Sequence, residues 1–158
     1  MFRLRPTNTL PILLWFLSSC SSLPADPPID HGLGEMSGEL TPTSVILQSR
    51  LTQGRELVDG DLPGALGVAR FEIARDAGFG RFRRTEWMTA SADSDYLVKT
   101  KVDGLEPGTR YFYRLRYGVD KENTRVGRTC SLRTLDGARQ SSPYSFVVVT
   151  GMNYAFFH

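Results

Sequence analysis

The sequence predicts an all-β protein with one domain, folded as a sandwich of two sheets. From Gly34 onward, apolar and polar residues alternate in runs of about five to ten residues. Clusters of Gly, Pro and Asp separate these runs, and no window shows a convincing helical repeat of apolar residues. Short strands at this spacing are typical of sandwiches. A length of 158 residues suits one domain of ordinary size.

Six segments carry the alternating pattern, namely 43–52, 66–74, 82–90, 95–105, 110–118 and 124–134. In the first, Val45 and Leu47 belong to one face while Ile46 and Gln48 belong to the other, which is the period of a strand. The stretch between the first two segments is rich in Gly and Asp. It predicts a loop that joins strands of different sheets.

The segment 104–118, GLEPGTRYFYRLRYG, is more specific than the others. We expect Leu105 to close one end of the sandwich, and Pro107 and Gly108 to turn the chain into the next strand. Tyr111 would begin that strand with its ring in the core and its hydroxyl bonded back to the turn. This is the tyrosine corner of immunoglobulin-like sandwiches. Any hairpin with Pro-Gly in its turn shares part of the pattern, but these offsets favour a fibronectin type III-like sandwich.

Charge patterning gives no support to nucleic acid as a partner. The formal net charge is only +2, and the arginines are scattered. Only 80–84, GRFRR, resembles a basic patch, and it is most simply a solvated strand face. In segment 110–118, Arg114 and Arg116 lie opposite the tyrosines, which share the core face.

The amino terminus has the pattern of an export signal. Two arginines precede the apolar run 10–20, LPILLWFLSSC, which is too short to span a bilayer comfortably. Its end, LSSC, resembles a bacterial lipobox in which Cys20 accepts lipid; the alternative is a plain signal peptide with a coincidental Cys. The Ser- and Pro-rich stretch that follows favours the lipoprotein. We therefore expect a signal over 1–20, a flexible tether over 21–33, and export to the cell envelope, lipid-anchored to a membrane or periplasmic or extracellular.

Few other residues suggest chemistry. If the first cysteine is acylated, Cys130 has no partner, and it is expected to be a small buried residue. The two histidines, His31 in the predicted tether and His158 at the end, support neither a Ser-His-Asp arrangement nor zinc-ligand spacing. Glu35 and Glu39 flank a strand start and are expected to be solvated. The sequence therefore gives no catalytic and no metal-binding residue.

Four stretches, in this order, resemble the N-terminal region of PhoD-like alkaline phosphatases, a metallophosphoesterase family. They are GEMSGELTPTSVILQSRLT, VDGLEPGTRYFYRLRYG, VGRTCSLRT and YSFVVVTGMNY. The family pattern Gly-x-x-Ser-Gly-(Asp/Glu)-x-Thr-Pro is matched here by Gly34, Ser37, Gly38, Glu39, Thr41 and Pro42. The resemblance implies that a β-sandwich, here 34–136, precedes an αββα catalytic domain. That domain hydrolyses phosphate esters outside the cytoplasm with metal ions such as calcium and iron.

The resemblance also gives an expectation for the end of the chain. SFVVVTGMNY matches the first strand of the catalytic domain, so 143–158 would be the start of a truncated domain. Gly151 stands where the family often has an iron-binding Cys, and Asn153 and His158 are more simply tail residues than remnants of a site. The Gly-Asp-x-x-Tyr and Asn-His segments that supply metal ligands in the family do not occur in this sequence.

Two functions follow from the sequence. The first is the sandwich portion of a secreted or lipid-anchored PhoD-like phosphomonoesterase or phosphodiesterase, itself without the metal centre and inactive. Its partner would be its own missing catalytic domain, and only the full-length protein would take a phosphate ester. The alternative is a free-standing cell-surface lipoprotein with a fibronectin III-like module that binds protein or polysaccharide through its loops.

Overall fold

The computed structural model describes residues 29–138 and Pro143, which form an all-β fold of antiparallel sheets. The predicted signal over 1–20 with Cys20, the first part of the tether, and the end of the chain with Gly151, Asn153 and His158 lie outside the described residues. Within 29–138 the one helical element is a 3₁₀ turn, Ala92–Ser94. No helix in this range has the length and apolar character needed to cross a membrane.

The described chain contains eleven strands. In order they are β1 (Ile29–Asp30), β2 (Glu35–Gly38), β3 (Ser44–Arg50), β4 (Thr52–Gln53), β5 (Gly67–Ala74), β6 (Phe82–Arg84), β7 (Met88–Ala90), β8 (Leu97–Asp103), β9 (Arg110–Gly118), β10 (Thr124–Val126) and β11 (Cys130–Arg133).

The strands form two main sheets and a short ribbon. Sheet one has the order β2–β3–β8. Sheet two is built on the β5–β9 pair; β6 and β7 both pair with β5, and β10 and β11 both pair with β9. Each outer position of sheet two is therefore shared by two short strands. The ribbon pairs β1 with β4, and the segment between β3 and β5 connects the two sheets as the sequence predicts.

The buried faces of the strands follow the predicted alternation. In β3, Val45 and Leu47 are fully buried while Ile46 and Gln48 are only partly covered. In β9 the apolar face is buried as expected, and it consists of Tyr111, Tyr113, Leu115 and Tyr117. These side chains join Phe71 of β5 in one core cluster between the sheets. The alternation of apolar and polar residues along each strand therefore predicted the core residues correctly.

Two predicted strands are each divided in the structure. The run 82–90 becomes β6 and β7 because Thr85 interrupts the ladder: its hydroxyl accepts the Phe71 N–H at 2.9 Å, and its own N–H donates to the Phe71 carbonyl at 2.9 Å. The run 124–134 becomes β10 and β11, and between them the Gly127 N–H donates to the Leu115 carbonyl at 2.8 Å. Both breaks lie on the outer positions of sheet two, where a local interruption leaves the central pair intact.

The folded part begins earlier than the sequence predicts. The tether was expected to extend to residue 33, but Ile29 and Asp30 pair with β4, and His31 is only 5% exposed. Ile29 packs against the core, and His31 is held by carboxylates described below. The predicted tether is therefore wrong for its last residues, because apolar contact and ion pairing fix them to the sandwich.

Candidate functional site

The turn before β9 has the geometry of a tyrosine corner. The Tyr111 side chain is 7% exposed, and its hydroxyl oxygen accepts a hydrogen bond from the Glu106 N–H at 2.9 Å. Leu105 is buried beside it. After Pro107, Gly108 has a φ of +59°, a backbone conformation that is strained for residues with a side chain. Together these residues fix the position at which the chain enters β9.

The same corner holds the chain where it leaves sheet two. Thr134, directly after β11, is buried, and its hydroxyl donates to the Glu106 carbonyl at 2.6 Å. That hydroxyl also accepts the Thr109 N–H at 2.9 Å. Residue 134 is therefore held in one place relative to both sheets, so any domain that follows in a longer chain starts from a fixed point.

We expect Tyr111→Phe to lower the free energy of unfolding by about 1–3 kcal/mol, because it leaves the Glu106 N–H without its partner. Chemical denaturation followed by fluorescence measures this loss. Tyr96→Phe is a suitable control, since the Tyr96 hydroxyl makes no hydrogen bond among the described residues. An unchanged midpoint for Tyr111→Phe would show that the corner contributes nothing to stability.

A histidine cluster lies where β1 meets β2, and it was not predicted. His31 Nε2 is 3.1 Å from Glu35 Oε1, and its Nδ1 is 3.1 Å from Asp30 Oδ1. Arg128 Nε lies 3.4 Å from the other Glu35 oxygen, and Arg55 Nε lies 2.9 Å from Asp30 Oδ2. The Glu35 side chain has no exposed surface. The expectation that Glu35 is solvated is therefore wrong, because His31 and Arg128 allow it to be buried. 

Close packing around this cluster depends on a glycine. A Cβ placed at Gly127 would collide with the Glu35 carboxylate and come within 3.1 Å of His31 Nε2. The Sγ of Cys130, half-buried in β11, is 3.8 Å from Glu35 Oε2. Burial and the Glu35 carboxylate raise the pKa of the Cys130 thiol. A protonated, partly covered thiol is a weak nucleophile, so this cysteine is a packing residue.

Both carboxyl groups of the cluster have shifted pKa values. Burial by itself raises the pKa of Glu35, but the adjacent His31 and the charge of Arg128 together outweigh it and hold the pKa below the usual range. Burial likewise raises the pKa of Asp30, and the hydrogen bonds and charges of Arg55 and His31 together more than offset this. The folded state therefore binds fewer protons at these groups than the unfolded chain does.

The sign of the pH dependence follows from these lowered values. The stabilisation is fully present above the unfolded carboxyl pKa, near 4, and is lost as the pH falls through the lower folded value. We expect the free energy of unfolding to decrease on acidification below about pH 5, with up to about 1.4 kcal/mol per pH unit for each such group. Urea denaturation at several pH values measures this slope.

Two variants assign the acid slope to the cluster. Glu35→Gln should reduce it, whereas Glu56→Gln, at an exposed glutamate, should leave it unchanged. If both variants give the slope of the unmodified chain, Glu35 does not contribute to acid sensitivity.

An arginine cluster covers the outer face of sheet two. At its centre Glu72 of β5 has no solvent-exposed surface, although it points away from the core. Arg114 contacts Glu72 Oε2 with two nitrogens: its Nε donates a hydrogen bond at 2.8 Å, and its Nη2 lies at 2.7 Å. Arg116 Nε donates to the other oxygen, Glu72 Oε1, at 2.8 Å. Arg84 Nε is 3.8 Å from Oε1. Arg70, two residues before Glu72 on the same face, completes the cluster.

Aromatic rings lie against three of these guanidinium groups. The closest contacts place Arg114 3.9 Å above the centre of the Phe79 ring, Arg70 4.4 Å above Trp87 and Arg84 4.6 Å above Phe82. Such contacts are favourable and restrict the rotamers of long side chains. Burial by itself raises the pKa of Glu72, but hydrogen bonds from Arg116 and Arg114 hold it below the usual range. Glu72 is therefore ionised near neutral pH.

Metal-binding side chains are not grouped in the described part of the chain. Within 29–138 and Pro143, no three or more His, Cys, Asp or Glu residues are placed so that they could hold a metal ion. Cys20, the predicted lipidation site, lies outside these residues.

The fold and the tyrosine corner define a β-sandwich of the fibronectin type III kind. Residues 17–134 match the family described as PhoD-like phosphatase, N-terminal domain. The match covers most of the chain, which belongs to this family. The resemblance read from the four sequence stretches is confirmed.

Relatives of known identity agree with this assignment. Alkaline phosphatase D of Bacillus subtilis (strain 168) is 33% identical over 100 residues, which are 63% of this chain and 17% of that protein. The solved structure of PhoD superposes with a TM-score of 0.57 at 26% identity, covering 75% of this chain and 21% of that one. A human fibronectin type III domain, from fibronectin type III domain containing protein 3, has a TM-score of 0.47 at 17% identity, over 80% of this chain and 99% of its own. The chain spans about a fifth of the length of Alkaline phosphatase D and of the chain in the PhoD structure.

Proposed function

We propose that this chain acts as the N-terminal β-sandwich of a PhoD-like phosphatase, where it packs against a catalytic domain and shapes one side of its cleft. The observation that carries this proposal is the family match over residues 17–134, which includes every described strand. Hydrolysis of phosphate esters, and the binding of metal ions such as calcium and iron, belong in this proposal to the catalytic domain.

The corner at Glu106 supports a role in positioning. The family match ends at residue 134, and the Thr134 hydroxyl bonds to the Glu106 carbonyl at 2.6 Å. The Tyr111 hydroxyl accepts a hydrogen bond from the backbone N–H of the same residue, Glu106. A domain that follows such a point has little freedom of orientation, which suits a sandwich that forms one wall of a cleft.

The proposal includes export and attachment to a membrane through lipid at Cys20. Its support is the charged and apolar pattern of residues 1–20 and the LSSC sequence. Ile29, the first residue of β1, follows Cys20 by nine positions, a reach of at most about 30 Å. Such an anchor would keep the sandwich close to the membrane surface.

A second candidate is a free-standing surface module that binds protein or polysaccharide through its loops. The supporting observation is a set of exposed apolar side chains in the connections between β1 and β2, between β4 and β5, and directly after β9. They are 55–68% exposed, and they are Leu33, Leu57, Val58, Leu66 and Val119. Exposed apolar groups on loops are a common feature of binding sites.

The proposed division of labour predicts that the purified 158-residue chain hydrolyses neither a nitrophenyl phosphate monoester nor the diester, with or without added calcium or iron. The reason is that a two-metal site needs several carboxylate and imidazole ligands in one place. Alkaline phosphatase D of Bacillus subtilis, assayed in parallel, is the positive control. Metal-dependent hydrolysis by the chain that a chelator abolishes, and that survives repurification, would contradict the proposal.

A further inference from the structure

The arginine cluster carries more positive charge than the sandwich neutralises. Three guanidinium groups, those of Arg84, Arg114 and Arg116, contact the Glu72 carboxylate, and a fourth, that of Arg70, lies on the same face. The exposed Glu86 near Arg70 offsets one further charge. The strand register places Arg70 directly opposite Arg116 in the neighbouring strand. Like charges in directly opposed positions of a sheet are destabilising. This face is therefore electrostatically incomplete by about two charges.

One buried hydrogen-bond donor on this face also lacks an acceptor. The Nε of Arg70 is buried and has no hydrogen-bond partner among the described residues. Arg84 Nε, at 3.8 Å from the Glu72 carboxylate, is beyond hydrogen-bond distance. Burial, and then the charge of Arg84, lowers the pKa of Arg70. Carboxylates brought to this surface would accept from both side chains and reduce their mutual repulsion.

The cluster is already ordered for such contacts. The rings of Phe79, Phe82 and Trp87 hold the guanidinium groups in place, so a partner would not have to immobilise four flexible side chains. This face is broad, because sheet two is four strands wide: β5 and β9 lie at its centre, β6 and β7 on one side, and β10 and β11 on the other. A broad surface with ordered Arg and aromatic side chains is typical of protein–protein contacts.

The rest of this chain does not supply the missing carboxylates. Residues 144–158 contain neither Asp nor Glu, and residues 1–28 contain only Asp26. The outer face of sheet one carries Lys99 and Lys101, so the matching face of a second copy has the wrong charge. In the relatives, by contrast, about four fifths of the chain lies beyond the matched region.

The chain leaves the sandwich from a strand of sheet two. The family match ends at residue 134, directly after β11. β11 pairs with β9, the strand that carries Arg114 and Arg116. The next residue, Leu135, donates its N–H to the Thr41 carbonyl between β2 and β3 at 3.2 Å, so in a longer chain the following domain begins at this end of the sandwich, within reach of sheet two.

We propose that the outer face of sheet two, through the arginine cluster with Phe82 and Trp87, docks onto a carboxylate-bearing surface of the catalytic domain in longer members of the family. This inference rests on the proposed function and adds the face that is used and the chemistry of its partner.

The test compares the free 158-residue chain with a chimera. In the chimera, residues 29–138 replace the sandwich of Alkaline phosphatase D of Bacillus subtilis. Hydroxyl-radical footprinting reports the accessibility of each face, with Trp87 and Phe82 on sheet two and the exposed Met36 on sheet one. We expect oxidation of Trp87 to be slower by about fivefold in the chimera, and that of Met36 to change by less than about twofold.

Charge variants provide a second, independent measurement. The sandwich should melt at a higher temperature in the chimera than in the free chain, by about 4 °C or more. The double variant Arg70→Glu, Arg84→Glu should abolish this difference, and the matched Lys99→Glu, Lys101→Glu should retain it. Comparing the same variant in both contexts cancels its effect on intrinsic stability. Arg114 and Arg116, which hydrogen-bond to Glu72, stay in place, and of the ion pairs of Glu72 only the long 3.8 Å contact with Arg84 is lost.

The outcomes separate this inference from the proposed function. Protection of Met36 instead of Trp87, with the temperature difference lost only in the lysine variant, would overturn the assigned face and leave the proposed function in place. No protection and no temperature difference would overturn both. Protection of Trp87 in the free chain by phosphatidylglycerol vesicles, without protection in the chimera, would assign the face to a membrane and overturn the inference.

Discussion

Replacing Glu72 by Gln is expected to lower the free energy of unfolding by about 2–4 kcal/mol. The carboxylate accepts hydrogen bonds from Arg114 and Arg116 and has no exposed surface. Its removal leaves a group of guanidinium charges without a counterion. The expected loss is somewhat below that for a fully buried pair, since Arg114 and Arg116 keep 23% and 26% of their side-chain surface exposed.

Glu86→Gln is the matched control, because it removes the same charge from an exposed position near Arg70. It should change stability by less than about 0.5 kcal/mol. Urea denaturation at neutral pH measures both variants. Equal, small losses for the two would mean that the ion pairs of Glu72 contribute no more than a surface charge does.

Phe71→Ala should destabilise the sandwich by about 3–5 kcal/mol, the range for truncation of a buried aromatic side chain. Phe71 is fully buried, lies opposite Leu115 in sheet two and belongs to the core cluster between the sheets. Its neighbours can close only part of the cavity, since both sheets are tied through their ladders.

The exposed Leu66, directly before the same strand, provides the comparison. Leu66→Ala removes apolar atoms that are already in water, so its effect should stay within about 0.5 kcal/mol. Thermal and urea unfolding of the two variants decide the matter. If Phe71→Ala unfolds at the same temperature and urea concentration as the unmodified chain, the packing between the sheets is looser than the structure indicates.

The main features of the fold could be predicted because they depend on local patterns. A period of two placed Val45 and Leu47 in the core, and the offsets of Leu105 and Tyr111 around a Pro-Gly turn predicted the corner, whose hydrogen bond runs only five residues along the chain. The breaks after β6 and β10 were missed, since they depend on Thr85 and Gly127 bonding to neighbouring strands.

The polar clusters could not be found in the same way. Glu72 meets Arg114 and Arg116 across 42 and 44 residues, and Arg128 meets Glu35 across 93. Alternation showed that Glu72 shares the outer face with Arg70, but a face pattern cannot show which arginines of a distant strand cover it. One signal was present in the sequence: arginines alternate with the tyrosines of the next core strand.

The most direct test of the central claim is hydrolysis of a nitrophenyl phosphate diester by the chimera. Three proteins are compared, namely Alkaline phosphatase D of Bacillus subtilis, the same protein without its sandwich, and the chimera that carries residues 29–138. If this chain is the N-terminal sandwich of a PhoD-like phosphatase, the chimera should recover most of the kcat/KM that deletion removes. A chimera that folds, as judged by circular dichroism and a cooperative melt, yet is no more active than the deletion would contradict the account.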